Sequence, residues 1–124
     1  IKNNNLQNRV FLLGYRNDIE RILAISDIFV FPSLREGLPT SIIEAMASGL
    51  PVIASRIRGN TDLIDEKVNG FTYPLGNSCE FIDKLNILLE DNELLLQLSS
   101  NNINKSTQYD KDLLAERLVE IYKI

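Results

Sequence analysis

A strand, a tight loop and a helix start follow one another directly in residues 31–51, which read FPSLREGLPTSIIEAMASGLP. Residues 28–31 are apolar and predict the strand, while glycine and proline mark the loop. Residues 41–48 predict the helix, which Gly49 and Pro51 end. The first turn of a helix leaves backbone N–H groups without partners and carries a partial positive charge, so it can hold an anion such as phosphate. The stretch therefore predicts an anion-binding loop.

Two acidic side chains, Glu36 and Glu44, flank that turn. Ionised carboxylates accept hydrogen bonds, so they suit pairs of sugar hydroxyls. A phosphate site beside such acceptors indicates a nucleotide sugar. A second interpretation is purely structural: Ser41 and Glu44 match the S-x-x-E capping box, and Glu36 is then an ordinary solvated loop acid. Spacing alone leaves both interpretations open.

A longer motif contains these two acids. Residues 32–55 follow the pattern P-S-x-x-E-G-L-P-x-x-x-x-E-A-M-A-x-G-x-P-V-I-A-S. This pattern resembles the signature of the group 1 glycosyltransferases, which are retaining, nucleotide-sugar-dependent enzymes of GT-B architecture. Flanking matches extend the resemblance from about residue 8 to residue 75, and the remainder is similar only as generic helices. The resemblance implies an enzyme that transfers a glycosyl group from a nucleotide-diphosphate sugar.

The resemblance also implies roles for single residues. In similar enzymes the second acid, here Glu44, binds the ribose hydroxyls of the nucleotide. The first acid, Glu36, contacts hydroxyls of the donor sugar and is the catalytic candidate. Backbone N–H groups of the loop between the acids hold the pyrophosphate, and Pro39 has no N–H to offer. The remaining candidates for the pyrophosphate are Gly37, Leu38 and Thr40.

Glycines and arginines beyond the motif add further candidates. The turn at Gly14, with Tyr15 and Arg16, lies where similar proteins place the nucleobase, although a plain strand-ending glycine explains it equally well. Arginines follow the predicted strands and make one edge of an acidic protein locally basic, unless these loops are charged simply as loops often are. They are Arg16, Arg35, Arg56 and Arg58. Arg58 is the candidate for phosphate because it adjoins Gly59, where a backbone can come close.

One segment departs from the family pattern. Gly59 and Asn60 stand where similar proteins usually carry a Gly-Gly pair, and Thr61 and Asp62 stand in place of the following Pro-Glu. This departure leaves a role for Asp62 open.

Strands and helices alternate along the chain, and the class of fold follows from that alternation. Apolar runs predict strands at residues 10–13, 28–31, 51–54 and 71–73. Helical spacing predicts helices at residues 17–26, 41–48, 61–66, 81–89, 94–98 and 110–122. Asn101, Asn102 and Asn104 predict the loosest link between the last two helices. We therefore expect an α/β fold with an open, Rossmann-like parallel sheet, flanking helices and a ligand at the carboxyl ends of the strands.

Composition excludes several other functions. The 124 residues are 44% hydrophobic with a net charge of −4, which fits one globular domain and argues against nucleic acid as a partner. The chain has no histidine and a single cysteine, Cys79, so a zinc site or a histidine-based triad is excluded and no cofactor is expected. No apolar run reaches membrane-spanning length. We expect a cytoplasmic protein, which the full-length protein could bring to the inner face of the membrane.

The resemblance implies that residues 1–124 are a partial nucleotide-sugar-binding domain. The acceptor-binding N-terminal domain and the family's basic pyrophosphate clamp would precede it, so we expect the chain alone to be inactive. A glycan or lipid-linked acceptor would bind through the absent domain. In a doubly wound parent sheet, absent strands would lie between residues 10–13 and 28–31. Unpaired strand edges invite pairing, so we expect the fragment to self-associate there.

Two other classes of protein remain alternatives. A sugar-nucleotide epimerase of the same architecture would use similar donor contacts, but it needs further acid and base groups that the sequence does not offer. A non-catalytic α/β binding module of the response-regulator type needs an acidic cluster at the strand ends, where this chain has arginines. Neither G-x-G-x-x-G nor G-x-x-x-x-G-K-[ST] occurs, which argues against a dinucleotide or P-loop protein.

Overall fold

A parallel sheet lies at the centre of the protein, whose computed structural model describes residues 1–112. The sheet has three strands in the order β1-β2-β3. They are Phe29–Phe31 (β1), Val52–Ser55 (β2) and Gly70–Tyr73 (β3). All pairings are parallel, with Phe29 opposite Val52 and Val52 opposite Gly70. The strands predicted at residues 28–31, 51–54 and 71–73 are confirmed to within one residue at each end.

Helices connect and cover the strands. They are Ile19–Ala24 (α1), Thr40–Ala47 (α2), Asn60–Leu63 (α3), Ser78–Glu90 (α4) and Asn92–Ser106 (α5), with short 3-10 turns at Lys2–Asn4 and Thr107–Tyr109. Asn77 and Asp91 cap α4 and α5, because their side chains accept hydrogen bonds from backbone N–H groups at 3.1 Å and 2.9 Å. Caps of this kind contribute about 1 kcal/mol each. The last predicted helix, residues 110–122, lies mostly outside the described residues.

The central strand, β2, is covered on both faces, which explains why it is apolar along most of its length. Val52 and Ala54 pack on one face with α2, and Ile53 packs on the other face with residues of β3, α4 and α5. Every residue of β2 is buried. A parallel strand with helices on both sides has no solvent face, so it carries a continuous apolar run rather than an alternating one. Burying each large aliphatic side chain stabilises the fold by about 1.5–3 kcal/mol.

The strand predicted at residues 10–13 is wrong. These residues form no strand, and Phe11 and Leu12 are 70% and 85% exposed. A β-strand requires a neighbour to accept and donate its ladder hydrogen bonds, and within residues 1–112 no strand lies beside this segment. An apolar run alone is therefore not sufficient to form a strand here.

The loose link predicted at Asn101, Asn102 and Asn104 is also wrong, because all three belong to α5. Asn102 is fully buried, and its Nδ2 donates to the carbonyl oxygens of Leu50 at 2.8 Å and Asn69 at 2.7 Å. This side chain ties α5 to the loop after α2 and to the start of β3. The polar composition predicted a linker, whereas the Asn102 side chain is buried and hydrogen-bonds to two other segments.

Candidate functional site

Two loops meet at the carboxyl ends of β1 and β2. One comprises residues 32–39 after β1, and the other comprises residues 56–59 after β2. Gly59 has φ +92°, and a Cβ there would lie 2.3 Å from the carbonyl oxygen of Gly37 and 3.1 Å from that of Glu36. Only glycine tolerates both this backbone conformation and this approach. The second loop therefore packs directly against the backbone carbonyl groups of Glu36 and Gly37.

A chain of hydrogen bonds runs beneath the first loop. The Nδ2 of Asn60 donates to the carbonyl oxygen of Ser55 at 2.9 Å and to the Ser55 Oγ at 3.1 Å. The Ser55 hydroxyl donates to the carbonyl oxygen of Ser33, and the Ser33 hydroxyl donates to Glu36 Oε1 at 2.6 Å. Asn60 and Ser55 are fully buried. The sequence analysis missed the roles of both serines, although Ser55 directly follows the strand predicted at residues 51–54 and Ser33 lies two residues after the strand predicted at residues 28–31.

One of the two polar atoms of the Asn60 amide lacks a hydrogen-bond partner. Among the described residues its Oδ1 is buried and has no hydrogen-bond partner. A buried oxygen without a partner costs on the order of 1–3 kcal/mol, which offsets much of what the two donated hydrogen bonds contribute. Burying this side chain therefore adds little net stability to the fold.

A cavity of about 520 Å³ opens beside these loops. Its lining residues are Leu34, Arg35, Glu36, Gly37, Ile57, Arg58 and Asp62. The structure thus brings together three of the predicted site residues, Glu36, Gly37 and Arg58. It also places Asp62 in the same wall, and sequence analysis had left the role of that residue open.

Glu44 lies on the other side of the loop. It is exposed on α2 and lines two smaller clefts, of about 260 Å³ and 440 Å³. The first cleft is bordered by α1, and the second contains the predicted residues Leu38 and Thr40. Gly37 and Leu38 are consecutive, so the loop itself forms the wall between the Glu36 cavity and the Glu44 cleft. The two acids flank the loop, as predicted, but line different cavities.

The capping-box interpretation of Glu44 is wrong. Helix α2 has Pro39 at its N-cap position and no side-chain cap, so Ser41 is already inside the first turn. Within residues 1–112 the carboxylate of Glu44 makes no hydrogen bond to the helix start. The side chain is therefore available to an external partner.

The start of α2 leaves several donors unused. In the described part of the chain, the backbone N–H groups of Gly37, Leu38, Thr40 and Ser41 donate to no protein acceptor. The first three are the predicted candidates. Ser41 was missed because the helix begins one residue earlier than the sequence indicates. Two of these N–H groups lie in the first turn of α2 and two lie in the loop before it, and free N–H groups at a helix start form a site of positive potential that suits a phosphate.

The turn at Gly14 stands apart from these loops. Gly14 has φ +65°, and Tyr15 is 97% exposed. Arg16 pairs with Asp18 through contacts of 2.8 Å and 2.6 Å, which raise the pKa of Arg16 and lower the pKa of Asp18. None of the three predicted residues lines the cavity of Glu36 or the clefts of Glu44. The assignment of this turn to the nucleobase therefore stays a prediction.

Arg56 is also excluded from the cavity. Its guanidinium donates to the hydroxyl and the carbonyl oxygen of Thr72, both at 3.1 Å, and pairs with Glu80 at 3.0 Å. These contacts tie the end of β2 to β3 and α4. Of the arginines predicted to make this edge basic, Arg35 and Arg58 line the Glu36 cavity, and the other two are engaged in ion pairs.

Within residues 1–112 no group of three or more acidic, histidine or cysteine side chains could hold a metal ion. The same part of the chain contains no helix long and apolar enough to cross a membrane.

An open parallel sheet whose candidate site lies in the loops at the carboxyl ends of its strands defines a Rossmann-like nucleotide-binding α/β domain. The sequence profile of the family described as "Glycosyl transferases group 1" matches residues 1–105. The chain belongs to this family of glycosyltransferases, and the resemblance drawn from residues 32–55 is confirmed.

Two named relatives are similar to the chain. One is the UDP-Gal:alpha-D-GlcNAc-diphosphoundecaprenol alpha-1,3-galactosyltransferase of Escherichia coli, 46% identical over 101 residues that cover 82% of this chain and 26% of that protein. The other is the N,N'-diacetylbacillosaminyl-diphospho-undecaprenol alpha-1,3-N-acetylgalactosaminyltransferase of Campylobacter jejuni, 36% identical over 113 residues, covering 91% and 30%. The chain therefore spans between a quarter and a third of these relatives.

Solved structures of a related protein have a similar fold. Anabaena HepE in complex with UDP is 31% identical, with a TM-score of 0.93 over 99% of this chain and 34% of that one. HepE has also been solved with UDP-glucose, which matches with a TM-score of 0.87 over 95% and 33%, at 32% identity. The expected α/β fold of a GT-B glycosyltransferase domain is therefore confirmed.

Proposed function

We propose that this chain provides the donor-binding part of a glycosyltransferase that uses a uridine diphosphate sugar. The observation that carries the proposal is the set of free N–H groups at the start of α2, with Glu36 on one side and Glu44 on the other. Such a site offers donors for phosphates in the middle and acceptors for hydroxyls at both ends. Relatives that bind UDP or are named for a UDP-sugar support uracil as the base.

The two acids then take different parts of the donor. Glu44, which has no hydrogen-bonding role in the described helix start, accepts hydrogen bonds from the ribose hydroxyls. The N–H groups of Gly37, Leu38, Thr40 and Ser41 hold the pyrophosphate, and Arg58 adds positive charge from the neighbouring loop. Gly14, Tyr15 and Arg16 remain the candidates for the base, with Arg16 neutralised by Asp18.

Glu36 is the residue proposed to act on the sugar. Its Oε1 accepts from Ser33, which leaves Oε2 to accept hydrogen bonds from sugar hydroxyls. A carboxylate held through one oxygen is oriented before the donor arrives, and this preorganisation lowers the cost of reaching the transition state. Glu36 and Arg58 line one cavity, so the sugar and its phosphates can lie between them.

The acceptor is proposed to be a lipid-linked diphosphate sugar. Two relatives are named for diphospho-undecaprenol acceptors, and this supports the same class of acceptor here. Part of a longer protein beyond this chain would bind it, at the cytoplasmic face of a membrane. The product would feed a polysaccharide or another surface glycan.

Transfer by the full-length protein tests the proposal. The protein is incubated with radiolabelled UDP-glucose, UDP-galactose or UDP-N-acetylgalactosamine and a synthetic lipid diphosphate that ends in N-acetylglucosamine. We expect label to move from one donor to the lipid, and Glu36→Gln to abolish the transfer. Glu93→Gln, an exposed acid in the first turn of α5, is the matched control and should be fully active. Conversion of the UDP-sugar into a different UDP-sugar, without the acceptor, would instead indicate the epimerase. No turnover of any of the three donors would refute the proposal.

Calorimetry with this chain tests the nucleotide separately. We expect UDP to bind more tightly than GDP or ADP. Equal affinity for all three nucleotides would leave the diphosphate site standing but would refute uracil as the base.

A further inference from the structure

A buried asparagine lies behind the loop that carries Glu36. We propose that Asn60 is a positioning residue, which sets the orientation of the Glu36 carboxylate through Ser55 and Ser33. The inference rests on the proposed function, because it assumes that Glu36 contacts the donor sugar. It extends that function by assigning a role to a residue that touches neither the cavity nor the acid itself.

The direction of this hydrogen-bond chain is fixed at its buried end. A backbone carbonyl oxygen can only accept, so the NH₂ group of Asn60 must face the Ser55 carbonyl. The same NH₂ group donates to the Ser55 Oγ. Because that oxygen accepts from Asn60, its single hydrogen is directed to the carbonyl oxygen of Ser33. Asn60 therefore determines which way the Ser55 hydroxyl points.

The other end of the chain meets the acid. The Ser55 hydroxyl holds the backbone of Ser33, and the Ser33 hydroxyl donates to Glu36 Oε1 at 2.6 Å. A contact this short to a carboxylate is a charge-assisted hydrogen bond, which is the stronger kind. The position of the Ser33 backbone thus decides where the carboxylate is held.

The residue before Asn60 acts on the same loop. Gly59 packs against the carbonyl oxygens of Glu36 and Gly37 so closely that a Cβ could not fit. The Gly59 backbone therefore supports the far end of the loop, while the Asn60 side chain anchors its beginning at Ser33. Both ends of residues 33–37 are held from two consecutive residues at the start of α3.

Asn102 provides a matched control in the same chain. Like Asn60 it is fully buried, donates two hydrogen bonds through Nδ2, and has an Oδ1 without a partner among the described residues. Its partners are the carbonyl oxygens of Leu50 and Asn69, outside residues 33–37. Replacing either asparagine by alanine removes similar contacts, but only Asn60→Ala breaks the chain that leads to Glu36.

The experiment compares the two variants in the full-length protein. We expect Asn60→Ala to lower kcat by about 10- to 100-fold, as a small misplacement of a catalytic group does, with UDP affinity changed little. Asn102→Ala should retain the parent kcat at temperatures where it is folded. Ser33→Ala, at a half-buried position, should reproduce the loss in kcat without disturbing the buried residues. The double variant Ser33→Ala with Asn60→Ala should be no slower than either single variant, because both break one chain.

Three results would overturn the proposal: equal kcat values for Asn60→Ala and Asn102→Ala, parent-like kcat for Ser33→Ala, or losses that multiply in the double variant. A parent protein that transfers no sugar would refute the proposed function instead. Amide hydrogen exchange, measured on the 124-residue polypeptide, then tests the positioning role independently of transfer. Asn60→Ala should speed exchange in residues 33–37 more than Asn102→Ala does, and equal exchange in the two variants would refute it.

Discussion

Gly59→Ala tests the contact between the two loops directly. The new Cβ would lie 2.3 Å from the Gly37 carbonyl oxygen, whereas separations under 3.0 Å essentially never occur for a Cβ. The obstructing atom belongs to the backbone, so no side chain can rotate out of the way. Either the Gly37 carbonyl, with the loop that carries it, or the start of α3 must move.

The cost has two parts. A φ of +92° strains any residue with a Cβ, at about 1–3 kcal/mol. Overpacking against the Gly37 carbonyl adds about 1–3 kcal/mol where the loop cannot yield. Where the loop does yield, the stability loss is smaller, but Glu36 moves with it and transfer falls by about 100-fold. Stability and activity therefore cannot both be preserved.

Gly76→Ala separates strain from collision. Gly76 has φ +77°, and a Cβ there would meet no atom within 4 Å. This variant should lose only the cost of the strained backbone and retain full transfer activity. The assay is urea unfolding of each variant of this chain, combined with kcat of the full-length protein. The reasoning fails if Gly59→Ala is as stable as Gly76→Ala and transfers sugar at the parent rate.

Three further predictions concern other parts of the structure. Glu44→Ala should weaken UDP binding, because each charge-assisted hydrogen bond to the ribose contributes about 1.5–3 kcal/mol. The melting temperature of this variant should stay near that of the Glu93→Ala control. Unchanged UDP affinity, measured by calorimetry, would contradict the ribose role. Arg16 lowers the pKa of Asp18, so the ion pair stabilises the fold above the ordinary carboxyl pKa of 3.8 and loses this effect as the pH falls through the lower folded value. The stability difference between the parent and Asp18→Asn should therefore vanish in acid and shrink in salt, and a difference independent of pH would refute the pairing. The open edge of β1, where Val30 is 38% exposed, should make the isolated chain self-associate, and Val30→Lys should reduce the mass found by light scattering; a monomeric parent would refute this.

The elements that local patterns specify were predictable from the sequence. Residues 51–54 predicted β2 because a strand covered on both faces needs a continuous apolar run. The apolar run of residues 28–31 predicted β1 in the same way, although Val30 is 38% exposed. The glycine and proline punctuation of residues 31–51 predicted the loop and α2 in order, and so predicted the free N–H groups at the helix start. The family resemblance came from the same local stretch.

The errors arose where a distant partner decides the structure. Residues 10–13 have the apolar composition of a strand, but strand formation depends on a neighbour that their own sequence does not contain. The asparagine-rich segment around Asn102 has the composition of a linker. The carbonyl oxygens of Leu50 and Asn69, however, accept hydrogen bonds from the Asn102 side chain and favour its burial. Neither outcome can be read from a window of neighbouring residues.

The support of the candidate site belongs to this second kind. Glu36 stands in a recognisable motif, and Ser33 in the same loop contacts it, but the loop is supported by distant residues. Ser55 bonds to Ser33, which lies 22 positions earlier in the sequence, and Gly59 packs against Gly37. Asn60 stands where similar proteins usually carry glycine, and a glycine would offer no amide to orient Ser55. A glycine at this position would keep the close approach of the two loops, but the Ser55 hydroxyl would lose the amide that orients it toward Ser33. In this chain the acid's loop is therefore supported both by the steric contact of Gly59 and by the hydrogen bonds that begin at Asn60.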